Sequence, residues 1–346
     1  MSLFQDKVVV VTGGTGSVGQ VLTTQLLSGI YGQPKKVVIF SRDESKQHAM
    51  RVAYQRKGKE VTNLMEFRIG DVRDFHSVSA VLRHADVVIH TAAMKQVPSC
   101  EYFPYEAVQT NITGAENIVR AIHELQLPVE AVVSVSTDKA AKPVNVMGMT
   151  KALQERIFIA ANILSPQTRF VCVRFGNVLA SRGSVIPLFR EQIQNGGPVT
   201  VTSEAMTRFL LPLERAVETI VWAMNHASRG EIIVPKVPAA RVINVAQALI
   251  DNRDIAIQIT GIRPGEKTHE MMVSEEEAGR TLDRGNYYAI QPMLPELITE
   301  QENTSFLQQE HISSAAIITL SETREMMREN GLLIEQAVEE TGELLR

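Results

Sequence analysis

Cysteine is scarce: 346 residues hold only Cys100 and Cys172, and neither sits in a Cys-x-x-Cys pair. That excludes a disulfide framework and a cysteine-based zinc site. It predicts two buried thiols in a reducing compartment. The eight histidines have no metal-ligand spacing, so no metal is expected, and His90, closing an apolar run, is expected in the core. Basic excess is also lacking, with 35 Lys+Arg against 39 Asp+Glu and a net charge of −4. Such a chain has no field for a polyanion, so nucleic acid is not an expected partner. Small anions stay within reach of a few local arginines. No apolar stretch approaches the ~18 residues of a membrane helix. No cationic start with an apolar run and cleavage site precedes the first strand. The expectation is a cytoplasmic protein without membrane insertion. The single tryptophan, Trp222, lies in an apolar helical stretch and is expected in the core.

What is present points to a folded enzyme. Hydrophobic residues make up 44% and charged residues 21%, which suits a sizeable core and not a disordered chain. The length fits one large domain or two small ones. Short Val/Ile-rich runs at Lys7–Thr12, Lys36–Ser41, Met65–Ile69, Ala85–His90, Val129–Ser136 and Phe170–Phe175 read as strands. Helical stretches separate them: Gly16–Ser28, Glu44–Arg56, Phe75–Arg83, Tyr105–Glu124 and Met149–Ile163. Continuous apolar strands alternating with helices predict a doubly wound parallel α/β sheet of the Rossmann type. Residues 1–176 form that predicted dinucleotide-binding domain. Prolines, glycines and isolated arginines become frequent after Gly176, and helices are predicted at Ser184–Gln194, Leu213–His226 and Val242–Ile250. Residues 177–346 are therefore expected to form a smaller, interleaved region for a second ligand. It ends in a polar tail from Pro292 with a helix-like close.

Glycines at 13, 16 and 19 follow the first strand directly and open a helix. They permit a tight turn, close approach of a pyrophosphate, and close helix–strand packing. The helix N-terminus adds free N–H groups and partial positive charge. Gly13, Thr15, Gly16, Ser17, Val18 and Gly19 are thus the predicted dinucleotide loop. At the end of the second strand, Ser41 and Arg42 favour the 2′-phosphate of NADP, while Asp43 leaves NAD open. Asp71 and Val72 are expected at the adenine. Ala92 and Ala93, after the fourth strand, are small enough to let the cofactor lie close.

Chemistry belongs at the carboxyl ends of the strands in such a sheet. The fifth strand runs into Ser136-Thr137-Asp138-Lys139, an adjacent acid and base. Met147-Gly148-Met149-Thr150-Lys151 follows. Here the chain resembles the extended short-chain dehydrogenase/reductase family, whose catalytic motif is Tyr-x-x-x-Lys. Lys151 matches the lysine, and Met147 replaces the tyrosine. The resemblance covers nearly the whole chain to about residue 292, through TGGTGSVG, IFSRDESK, GDVRD, AAMKQVP, STDKAAKPVNVMGMTK, VRFGNVLASRGSVIP, MTRF and GIRPGEK. It is strongest to the UDP-N-acetylglucosamine 4,6-dehydratase branch.

That resemblance implies internal redox with a tightly bound, recycled nicotinamide dinucleotide. Hydride leaves carbon 4 of the sugar, water is eliminated across carbons 5 and 6, and hydride returns to carbon 6. It implies that Asp138 protonates the leaving 6-hydroxyl and that a neutral Lys139, with its pKa lowered beside the nicotinamide, takes the carbon-5 proton. Thr137 would bond the 4-oxygen, Lys151 the nicotinamide ribose, and Met147 would only pack against the sugar. Retention at carbon 5 is favoured over inversion.

The substrate, UDP-N-acetylglucosamine, needs donors for two phosphates. Lys95, Asn177, Arg182, Ser184, Arg208, Arg263 and Glu266 are the candidates, the arginines because a guanidinium forks onto oxyanions. The alternatives are a 4-epimerase or reductase on a nucleotide sugar, which the missing tyrosine disfavours, and an inactive dinucleotide sensor. A homo-oligomer, dimer or hexamer, packed through Tyr105–Glu124 and Met149–Ile163 is also implied.

Overall fold

The valine-rich runs become strands because β-branched side chains pack well on a pleated surface buried on both faces. In the computed structural model, which describes residues 2–181, 183–298 and 306–334, six parallel strands form the core of the sheet. They are β1 (Val8–Thr12), β2 (Lys36–Ser41), β3 (Met65–Ile69), β4 (Val87–His90), β5 (Ala131–Thr137) and β6 (Arg169–Phe175). Their spatial order is β6-β5-β4-β1-β2-β3, and every neighbouring pair among them is parallel. The order reverses between β1 and β4, which opens a crevice at their carboxyl ends.

Later segments return to this sheet. Ile232–Pro235 pairs parallel with β6. Tyr287–Ile290 and then Thr281–Arg284 extend that edge antiparallel, making nine strands. The chain after residue 177 is therefore interleaved with the sheet. Its other parts build a second apolar cluster, where helices Val185–Gln194, Val242–Ile250 and Leu320–Glu329 meet through Phe189, Leu249 and Met327.

The helix expected over Tyr105–Glu124 is not uniform. It runs as α-helix Pro104–Ala107, a π-helical segment Val108–Thr113, and α-helix Gly114–Glu124. Buried Asn111 lies in the widened turn. Its side chain accepts from the Met94 amide at 2.8 Å and donates to the Met94 carbonyl and Thr150 Oγ1, both at 3.0 Å. A π-turn re-aims a side chain in this way at the expense of regular helix hydrogen bonding. Trp222 also departs from expectation. It is half-buried at the edge of the core, stacked between His226 and Tyr287. Both cysteines are free and buried. Among the described residues no helix is long and apolar enough to cross a membrane, and no cluster of three metal-ligating side chains exists.

Candidate active site

A cleft of about 1040 Å3 runs over the carboxyl ends of the strands, from the glycine loop to the smaller region. Its floor begins with Gly13, whose φ of +67° suits glycine. A Cβ on Gly13 would lie 2.7 Å from the Ala92 nitrogen, and one on Gly19 would lie 2.6 Å from the Gly14 backbone. The loop therefore packs directly on the end of β4. Helix Ser17–Leu27 starts from Gly16 with no side-chain cap, so its first N–H groups suit an anion. Thr15, Gly16, Ser17 and Val18 line the cleft beside them.

At the cleft mouth, Ser41, Arg42, Asp43 and Lys46 close the end of β2. Asp43 is committed as a helix cap, accepting from the Lys46 amide at 2.9 Å. Asp71 departs from its expected place. Gly70 and Val72 line the cleft there, and Asp71 does not. Its carboxylate accepts from Arg73 Nε at 2.9 Å and lies 3.7 Å from Arg42 Nη1. Burial opposes that charge, but Arg73 and Arg42 outweigh it and hold Asp71 below the usual carboxylate range.

The chemistry-bearing groups gather where β5 ends. Thr137 Oγ1 donates to Asp138 Oδ1 at 3.0 Å. Asp138 is fully buried behind the cleft wall, whereas Thr137, Lys139, Met147, Lys151, Ala92 and Ala93 line the cleft. Lys139 Nζ lies 3.1 Å from Asp138 Oδ1 and 3.1 Å from Glu270 Oε1. Burial pushes Asp138 above its ordinary value. Burial pulls Lys139 down, but Asp138 and Glu270 more than offset it and hold the ammonium above the usual lysine range. This direction is opposite to the depression expected beside a bound nicotinamide, because Asp138 and Glu270 each lie 3.1 Å from Lys139 Nζ. Lys151, on helix Val146–Leu164, donates to the Val135 carbonyl at 2.6 Å and to Gln154 Oε1 at 2.8 Å. Burial lowers it to about 8. Met147 is buried with Cys100 and Ala107 and offers no titratable group. His90 sits in the core with Nδ1 2.8 Å from Thr12 Oγ1, and burial drives it down to about 3.

The other end of the cleft is built by the smaller region. Lys95, Asn177, Ser184, Arg208, Arg263 and Glu266 all line it. Asn177 Oδ1 and Ser184 Oγ are buried without a partner among the described residues, which suits a polar ligand. Arg182 lies outside the described residues. Arg208 is less free than the sequence implied. Its guanidinium donates to the carbonyls of Thr207, Thr268 and Lys267 at 2.8, 3.2 and 3.0 Å. It anchors the loop carrying Arg263 and Glu266, while Arg263 itself is exposed. Asn145 Nδ2 donates to the Gly265 carbonyl at 2.7 Å, and Lys267 Nζ to the Ala141 carbonyl at 2.7 Å. These bonds strap the loop across the end of β5.

Sequence reasoning missed Glu270, Lys46, Gln96 and Lys267. For Glu270 the only local signal was an acidic residue directly before the apolar triplet Met271–Val273. Nothing nearby marked it as a partner of Lys139.

Comparison with known proteins follows the same outline. The UDP-glucose 4-epimerases of Rickettsia prowazekii and Rickettsia canadensis are 45% and 44% identical to this chain over 293 residues, covering 83% of it and 84% of each relative. The X-ray structure of Pen from Bacillus thuringiensis superposes with a TM-score of 0.87 at 33% identity, covering 95% of this chain and 99% of that one. The dTDP-glucose 4,6-dehydratase DesIV of Streptomyces venezuelae, solved with NAD bound, superposes with a TM-score of 0.67 at 19% identity, over 75% of this chain and 86% of that one. At that identity the likeness speaks for the Rossmann-type fold alone. A sequence model described as polysaccharide biosynthesis protein matches residues 9–292, and the chain belongs to that family.

Proposed function

We propose that this protein is a nucleotide-sugar 4,6-dehydratase acting on UDP-N-acetylglucosamine with a recycled nicotinamide dinucleotide. The observation that carries the reading is a buried acid, Asp138, bonded to a lysine, Lys139, at the end of β5, with Met147 where a catalytic tyrosine would stand. The glycine cradle at Gly13 and Gly19 and the uncapped helix start fit a dinucleotide pyrophosphate. Arg42 and Lys46 at the mouth favour NADP over NAD. When bound there, the dinucleotide supplies hydride acceptance from sugar carbon 4 and its return at carbon 6. The chain's own residues do the rest. Lys151 holds the nicotinamide ribose, and Thr137 bonds the 4-oxygen. Asp138, whose pKa burial raises, is the proton source for the 6-hydroxyl as water leaves, reaching it through Thr137 Oγ1, which is 3.0 Å from Asp138 Oδ1 and lines the cleft. Lys139 takes the proton from carbon 5, with retention there the favoured outcome. Arg263, Asn177, Ser184 and Glu266 hold the nucleotide, Lys95 the sugar, and Arg208 keeps their loop in place. Helix Val146–Leu164 exposes Met149, Leu153 and Ile163, which supports a homo-oligomer packed through that face.

A second reading is 4-epimerisation, favoured by the names of the Rickettsia relatives. Its weakness is chemical. Both reactions must remove the 4-hydroxyl proton, which Met147 cannot accept, but only elimination makes use of the adjacent acid Asp138 and base Lys139.

Proton NMR of the protein with UDP-N-acetylglucosamine in heavy water separates the two. A new 6-deoxy methyl signal is expected, and its couplings report the configuration at carbon 5. A 4-epimer formed from this substrate or from UDP-glucose, with no methyl signal, sinks the dehydratase reading in favour of the second. An unchanged spectrum with added NADP+ and NAD+ removes both and leaves a dinucleotide sensor.

A further inference from the structure

Glu270 is the residue directly before strand Met271–Val273, far in sequence from Asp138 and Lys139. It is 2% exposed, yet it borders the cleft. Lys139 Nζ sits midway between the two carboxylates, 3.1 Å from each. Neither Asp138 Oδ2 nor Glu270 Oε2 finds a hydrogen-bond partner among the described residues. A buried carboxylate without a full set of donors is costly to keep for packing alone. The backbone holds it in place all the same, because the Glu270 amide donates to Ser313 Oγ at 2.9 Å.

We infer that Glu270 is the third member of a proton relay, storing the spare proton of Lys139 while Lys139 acts as the base. This deepens the dehydration reading and rests on it. The resting state is Asp138 as carboxylic acid, Lys139 as ammonium and Glu270 as carboxylate. Lys139 first passes one proton across the 3.1 Å gap to Glu270 Oε1, leaving a neutral amine and a carboxylic acid. The amine then takes the carbon-5 proton and becomes ammonium again. Asp138 supplies a proton to the 6-oxygen through the Thr137 hydroxyl, the carbon–oxygen bond breaks, and water departs. As hydride arrives at carbon 6, the Lys139 ammonium gives its proton back to carbon 5, and Glu270 returns the stored proton to Lys139 Nζ. Asp138 is reprotonated from water, which takes up the proton that the 4-hydroxyl released on oxidation, so two protons are taken from the sugar (4-oxygen, carbon 5) and two are given to it (6-oxygen, carbon 5). The directions of titration agree with this starting state. Burial lifts Asp138, while Lys139 and Arg208 more than offset burial at Glu270 and keep it below the usual range. The charged groups facing this trio are Arg208, with Nε 3.8 Å from Glu270 Oε1, and Lys267, itself lowered by burial. Glu270 acts through Lys139, so it is a positioning residue.

The test compares full-length wild type, Glu270→Gln and Glu270→Asp with UDP-N-acetylglucosamine between pH 6 and 9. In the glutamine variant kcat at pH 7 is expected to fall about 100-fold, with KM within about threefold of wild type. Its rate should climb with pH, because bulk base must now remove the Lys139 proton, whereas the wild-type rate stays level above pH 7. Aspartate should recover at least a part of kcat and the level profile. Wild-type kcat and profile in the glutamine variant overturn the relay. So does a loss of kcat and KM together with no recovery by aspartate, which marks a packing role. If the glutamine chain does not fold, the aspartate chain decides: a level profile with unchanged KM supports the relay, and a raised KM with a climbing profile overturns it. If wild type forms no methyl product, the dehydration reading itself fails and takes the relay with it.

Discussion

Gly13 and Ala92 touch backbone to backbone: a Cβ on Gly13 would stand 2.7 Å from the Ala92 nitrogen. The contact joins the dinucleotide loop to the end of β4. Gly13→Ala adds that collision to the strain of φ +67°, a combined loss of about 2–4 kcal/mol. The variant is expected to lose bound dinucleotide before it loses the sheet. Fluorescence of retained cofactor, read beside the far-ultraviolet circular dichroism spectrum, checks this; unchanged retention would contradict it.

Arg174 is fully buried between two glutamates. Its Nη2 lies 2.8 Å from Glu155 Oε2 and its Nη1 2.8 Å from Glu277 Oε2. It ties helix Val146–Leu164 to the capping-box turn at Ser274–Glu277. Arg174→Met strands two buried carboxylates and should cost about 3–5 kcal/mol, read as a shift in urea unfolding midpoint.

The same cluster sets an acid limit. Burial alone would raise Glu277, but Arg174 holds it down from 4.5 to about 2. A depressed carboxylate contributes stability above its unfolded value and loses it as pH falls through the folded one. On the order of 3 kcal/mol should therefore disappear between pH 4.5 and 2. Urea titrations across that window are expected to show the slope in wild type and a weaker one in Glu277→Gln.

Arg42 carries cofactor choice in the proposed reading. Arg42→Ala should weaken NADP binding by about 10–100-fold, the worth of a charge-assisted phosphate contact, and change NAD binding little. Equal losses for both, measured by isothermal titration, would count against a 2′-phosphate contact.

Ser313 lies beyond the span matched by the family model, yet it is fully buried against the site. Its hydroxyl is 2.6 Å from Thr207 Oγ1 and accepts from the Glu270 amide. Ser313→Ala leaves that amide unpaired, costing about 1–3 kcal/mol. The melting temperature should fall, and kcat should fall more than KM rises, since the Glu270 backbone is loosened and the nucleotide contacts are not.

Much of the scaffold was legible because its signals are local. Lys36–Ser41, Leu213–His226 and Val242–Ile250 occupy the bounds their patterns predict. Each is a continuous or periodic apolar run whose burial needs no knowledge of its partner. The π-turn at Val108–Thr113 was not legible, because it is imposed by Asn111 reaching Met94 and Thr150. The nine-stranded width was not legible either, since Tyr287–Ile290 is too short to stand out before its pairing with Ile232–Pro235 is known.

The amino-acid sequence by itself determined the Rossmann-type sheet, the glycine loop and the adjacent Asp138–Lys139 pair, because strand pattern, turn chemistry and covalent neighbourhood are all short-range properties. Only the tertiary structure brought together the buried groups that shift the titration of that pair. Glu270 arrives 131 positions after Lys139, a separation read directly from their numbers, and it adds to Asp138 in raising the Lys139 pKa above its ordinary value. The closed chain also ties the cleft-lining Arg208 guanidinium to the Lys267 carbonyl and pairs Asp71 with Arg73. Electrostatic character depends on distances between buried groups, and those distances exist only after the chain has closed on itself.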